Sequence, residues 1–141
     1  MHASYDDELI RQFEDCSLPL ERLSHSVHIQ IAFLYLCKYP VLEVLGRFPR
    51  ALTSYAEAHG KAGLYHETIT WAYILLIHER MARAGHAPTW AEFAAANADL
   101  MTWTDSVLKQ YYRAETLHSD LARKIFLLPD KAPTLLFPPE R

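Results

Sequence analysis

A chain of 141 residues, half of them apolar, 22% charged and 12% aromatic, can build one core and is too short for a second full domain. Its four glycines exclude collagen-like and flexible-linker architectures, and a net charge of −3 leaves no global basic field to attract nucleic acid or an anionic membrane. The longest apolar runs, 31–37 and 71–77, are seven residues each, against the roughly 20 that a membrane span needs.

Apolar residues recur at three- and four-residue spacing without sustained alternation. This predicts an all-α, single-domain bundle of six or seven helices over residues 1–130, followed by a Pro-rich extended tail over 131–141. A first helix is predicted at 6–15, with Leu9, Ile10 and Phe13 on one side and Asp6, Asp7 and Glu8 at its positive end. Pro19 breaks it. A second helix at 21–39 carries Val27, Ile31, Leu34 and Tyr35 on one stripe and ends before Pro40. The third, at 41–59, contains Pro49, which removes the bond to the Leu45 carbonyl and is expected to kink or split it; Gly60 and Gly63 end it.

The fourth helix, at 65–83, is apolar on nearly every face between Trp71 and Ile77, the pattern of a central buried helix, and Gly85 stops it. Thr89 and Glu92 form a capping box that opens a short helix through Ala96. A loop over 97–99 and a helix over 104–112 follow, and Ser119 caps a last helix through Phe126. Residues 1–8 are acidic, without the basic and apolar stretches of a secretory signal, so a cytoplasmic address is expected. Cys16 and Cys37 form no C-x-x-C pair and read as reduced thiols.

Chemistry concentrates at two places. His25 and His28 are three apart on the second predicted helix, so they share a face and could converge on one ion, the way helices build metal sites inside bundles. Tyr65-His66-Glu67-Thr68-Ile69-Thr70 opens the central helix, and five of its six side chains carry polar atoms. Placing such a run beside a core costs desolvation unless the groups hydrogen-bond or coordinate something. Satisfaction of the free amides of the first helical turn is the competing structural explanation.

Combined, the two clusters give a three-imidazole metal site of His25, His28 and His66, with Glu67 as fourth ligand or as a base on bound water. Nitrogen ligands with an optional carboxylate suit a divalent Fe, Cu, Zn or Ni ion. Tyr65 and Tyr112 would orient a small-molecule substrate or bound oxygen. E-x-x-H, H-E-x-x-H, G-x-S-x-G and Gly-rich phosphate loops do not occur in the sequence.

Two functions follow as expectations. The first is a small metal-dependent enzyme performing an oxidative or hydrolytic step. The second is a non-catalytic helical module that binds a ligand or protein through a buried His/Tyr/Glu network. Metal storage would need several exposed ligand sets, which scattered histidines do not supply. A homodimer is expected, because aromatic-rich helical chains of this size commonly bury a remaining apolar patch by pairing.

From about Leu23 onward the chain resembles a bacterial family of small all-helical proteins without an assigned reaction. The likeness is carried by His25-x-x-His28, Tyr65-His66-Glu67-Thr68-Ile69-Thr70-Trp71, Asn97-Ala98-Asp99-Leu100, Tyr111-Tyr112, Leu117 with Ser119 and Ala122-Arg123, and Leu128-Pro129-Asp130. The resemblance implies a single helical domain and points to these residues without implying a substrate. Ala98 departs from the family pattern, which has Pro there, and bears on the local loop alone.

Overall fold

In the computed structural model, which describes residues 4–131, seven α-helices and four short 3₁₀ turns are present and no strand occurs among the described residues. Helix α1 (Tyr5–Glu14) starts where the Ser4 hydroxyl accepts the Asp7 amide hydrogen, and its Leu9, Ile10 and Phe13 stripe is buried. Helix α2 (His25–Lys38) follows a 3₁₀ turn at Leu20–Arg22, and Ser24 is its N-cap. The expected start at 21 is therefore four residues too early. His25 becomes the first helical residue and His28 the fourth, which puts both in the opening turn.

Helix α3 (Val41–Ala58) runs through Pro49, so the expected split does not occur. Proline removes one amide–carbonyl bond, while the turns on either side remain bonded and Val44, Phe48 and Tyr55 anchor that face in the core. Gly60, at φ +70°, takes the left-handed conformation that lets the chain leave this helix, and Gly85, at φ +77°, does the same after the next.

Helix α4 (Glu67–Arg83) is the hub, packing on α2, on α3 and on the last helix, as its all-round apolarity predicts. Phe13, Tyr35, Phe48 and Tyr55 form an aromatic cluster between α1, α2 and α3, with Phe13 stacked on Phe48 at 5.6 Å between ring centres. The polar ends of that cluster are satisfied: the Tyr35 phenol donates to Glu14 at 2.5 Å and the Tyr55 phenol to the Leu18 carbonyl at 2.6 Å.

Beyond α4 the helices shorten. Helix α5 (Trp90–Ala96) has the expected capping box, and Phe93 packs its ring on Phe33. The expected loop at 97–99 lies in a 3₁₀ turn, Ala98–Leu100, pinned to α4 by a two-pronged Arg80–Asp99 ion pair at 2.6 and 2.8 Å. No α-helix spans 104–112. A 3₁₀ turn at Val107–Gln110 replaces it, because the Ser106 side chain takes the Leu108 amide hydrogen and both Val107 and Leu108 must face inward.

Helices α6 (Ala114–Leu117) and α7 (Asp120–Lys124) close the described fold. Ser119 caps α7 as expected, but that helix stops two residues short of Phe126. Ile125 turns extended there, and the Thr68 hydroxyl captures its carbonyl. No described helix is long and apolar enough to cross a membrane. The tail expected at 131–141 lies, apart from Lys131, outside the described residues.

Candidate functional site

Helices α2 and α4 begin, and α3 ends, at one end of the bundle. Between them lies a cavity of about 630 Å³. Its floor is apolar and buried, formed by Ala32 of α2, Phe48 of α3 and Ile74 of α4, and Leu52 and Ile69 continue the walls. Its mouth is unusual in leaving large apolar groups in water. Leu20, Leu64 and Trp103 are 39%, 70% and 53% exposed, and all three line it. His25, His28, Tyr65 and His66 contribute polar groups, while Lys61 and Arg123 stand exposed at the rim.

The ring nitrogens of the three histidines decide what they can do. A backbone carbonyl only accepts, so each imidazole nitrogen bonded to one carries the proton. His25 donates from Nε2 to the Leu100 carbonyl at 2.9 Å, its ring 5.1 Å from that of Tyr73 and 5.5 Å from that of Trp103. His28 donates from Nδ1 to the Ser24 carbonyl at 3.0 Å, a bond made possible by its place in the first turn. The second nitrogen of each ring has no partner among the described residues. His66 differs: Nε2 donates to the Leu117 carbonyl at 2.6 Å and Nδ1 accepts the Ile69 amide hydrogen at 3.1 Å. It is the N-cap of α4, a position ordinarily held by Ser, Thr, Asp or Asn.

Burial holds all three imidazoles below their usual value of 6.5, against the opposing effect of their carbonyl bonds. They are neutral at pH 7, which suits both capping and ligation. The donor set nevertheless does not fit the metal centre expected from sequence. His66 has no free lone pair, because a bond to an ion would displace the bond that starts α4. Among the described residues, no group of three or more His, Cys, Asp or Glu side chains is placed to hold an ion.

The remaining expected site residues divide in the same way. Tyr65 lines the cavity, and its phenol donates to the Glu67 carboxylate; burial and that bond push the phenol pKa up. Glu67 is half-buried and does not itself line the cavity. Tyr112 lies apart from it. Its phenol is buried, donates to the Leu127 carbonyl at 2.7 Å and is pushed up to about 12 by burial and by the Asp130 charge. Its position is that of a structural tether, away from any substrate the cavity could hold.

Thr68 and Thr70 complete the polar run. The Thr68 hydroxyl, fully buried, donates to the Ile125 carbonyl at 2.8 Å and accepts the Leu127 amide hydrogen at 3.0 Å. Thr70 donates to the His66 carbonyl at 2.7 Å. Every polar side chain from Tyr65 to Thr70 thus has a partner, and two of them bind the carboxy-terminal segment. The one buried side-chain nitrogen or oxygen left without a partner among the described residues is Trp71 Nε1, outside the cavity lining. Sequence reasoning missed Lys61 and Trp103, and it met Arg123 only through the family resemblance; no local pattern connects the three, and packing brings them to one opening.

Compared with protein-family models, curated proteins and solved structures, the chain matches none.

Proposed function

We propose that this protein is a non-catalytic helical module that binds a small, largely apolar molecule in the cavity between α2, α3 and α4. The observation that carries the reading is the cavity: about 630 Å³, a buried apolar floor, and a few polar groups at one end. That size and lining are those of small-molecule sites, which range over roughly 300–1,000 Å³. The two ring nitrogens without a partner among the described residues, on His25 and His28, add places where a ligand donor can be accepted.

The neutral apolar dye Nile red tests it. The expected outcome is saturable binding near one equivalent with the emission shift of an apolar environment. Ala32→Phe, which places a ring on the cavity floor, is expected to abolish that binding while circular dichroism stays helical. Binding that survives the filled floor overturns the reading. A metal-dependent enzyme at the same place would require His66 to give up its cap. One equivalent of Fe, Cu, Zn or Ni in protein purified without chelators, lost on His66→Ala, would put that enzyme in its place.

A further inference from the structure

The lining of the cavity has a charge bias that the composition of the chain does not predict. The sequence holds 17 acidic and 14 basic residues, yet no Asp or Glu lines the cavity, whereas Lys61 and Arg123 do. Neither cation forms an ion pair with another described residue, a state they share with Arg22, Lys38, Arg50, Arg113, Lys124 and Lys131. The two are held to one short segment: Lys61 immediately precedes the 3₁₀ turn Ala62–Leu64, and Arg123 donates from Nη1 to the Gly63 carbonyl at 3.2 Å. One guanidinium proton is used there, and the others face solvent or ligand.

Two carboxylates act on the lining from just outside it: Glu67 accepts the Tyr65 phenol hydrogen, and burial together with the Glu21 charge pushes the Tyr55 phenol pKa up. Neither forms an ion pair with Lys61 or Arg123. Helices α2 and α4 both present their amino ends to this side; α2 has no acidic residue in its first turn, whereas α4 carries Glu67 there. An apolar hollow whose charged lining residues are both cations, neither of them ion-paired, is complementary to a molecule with an apolar body and a negative end.

We propose, building on the ligand-binding reading above, that the cavity takes an amphiphile with a single anionic head, a carboxylate in the simplest case, the body lying over Ala32, Phe48 and Ile74 and the head between Lys61 and Arg123. The hollow reaches from His25 to Ala32 along α2, about 10 Å at 1.5 Å per residue, which sets the length of the body. Both cations are exposed, so the head adds a modest preference on top of apolar burial.

Competition against bound Nile red with octanoate and with 1-octanol, on the full chain at low salt and about pH 8, tests it. Octanol prefers apolar surroundings more than octanoate does, so a cavity indifferent to charge ranks octanol first. The expected result is the reverse, octanoate displacing the dye at about fivefold lower concentration, with the advantage shrinking as salt is raised. Lys61→Gln alone, which touches no hydrogen bond of the protein, should halve the advantage, and Lys61→Gln with Arg123→Gln should remove it while octanol stays unchanged. Octanol equal to or better than octanoate overturns the anionic head and leaves the cavity reading standing. An octanoate preference that survives the double substitution does the same. Failure of both compounds to displace the dye overturns both.

Discussion

At the amino end of α4, the polar atoms of His66, Thr68 and Thr70 are committed to protein partners: Leu117, Ile69, Ile125, Leu127 and the carbonyl of His66 itself. At the amino end of α2, His25 and His28 line the cavity, and each makes one backbone bond and leaves a second nitrogen without a partner among the described residues. Both ends are polar residues opening an apolar helix, and in sequence they look equally like a site. The difference lies in what packs against them. Helix α4 receives α7, the Leu117 carbonyl and residues 125–127 on its first turns, so its polar run becomes a clasp. The first turn of α2 meets the Leu100 carbonyl and the Tyr73 and Trp103 rings through His25, and it forms a wall of the hollow. A buried polar group marks a functional site only when its partners have been counted and some capacity is left over.

The comparison breaks most readily at Thr68. Thr68→Val removes the hydroxyl at nearly constant volume and strands a carbonyl and an amide, each worth about 1–3 kcal/mol when left buried and unpaired. A loss of about 2–4 kcal/mol in urea unfolding is expected, and a loss below about 0.5 kcal/mol would show that the carboxy-terminal segment is not clasped there.

Acid sharpens the same contrast. Because burial depresses the folded-state imidazoles below 6.5, the unfolded chain takes up protons first as pH falls. The contribution from these histidines is therefore complete above pH 6.5 and lost as pH drops through their lower folded values. Unfolding free energy measured at about pH 7.5 and about pH 5.5 should show this decline. His66→Asn, which keeps a capping oxygen and cannot titrate, should make it shallower by the share of His66, with His25 and His28 supplying the rest. A profile level over that interval, or one that His66→Asn leaves unaltered, contradicts the assignment.

The smallest effect is expected at α2. His28→Ala removes one local bond to the Ser24 carbonyl and places a stronger helix former in an exposed-to-half-buried turn. Stability should change by less than about 1 kcal/mol, while Nile red binding shifts because a wall group has gone. A destabilisation as large as that of Thr68→Val would mean that the two helix ends serve the same structural role.

Much of the architecture was legible before any coordinates, because apolar spacing and caps act locally. The stripe of α1, the Ser119 cap, the Thr89–Glu92 capping box and the all-round apolarity of α4 each depend on residues within a turn or two of one another, and each is present. Tyr112 reads in the sequence as a group that orients substrate, whereas its phenol donates to the Leu127 carbonyl outside the cavity lining. Boundaries failed where a side chain competed with the helix: Ser24 starts α2 late, Ser106 holds 107–110 as a 3₁₀ turn, and Thr68 ends α7 early from the other side of the fold.

Residue chemistry set which groups could cap, ligate or carry charge, since imidazole, hydroxyl and carboxylate bring those capacities wherever they lie. Which capacity each group uses was decided by tertiary packing alone. The Leu117 carbonyl that consumes His66 Nε2, and the turn that brings Gly63 under Arg123, come from segments distant in the chain. A hydrogen bond depends on a few tenths of an ångström between such segments, and no periodicity in the sequence encodes that distance.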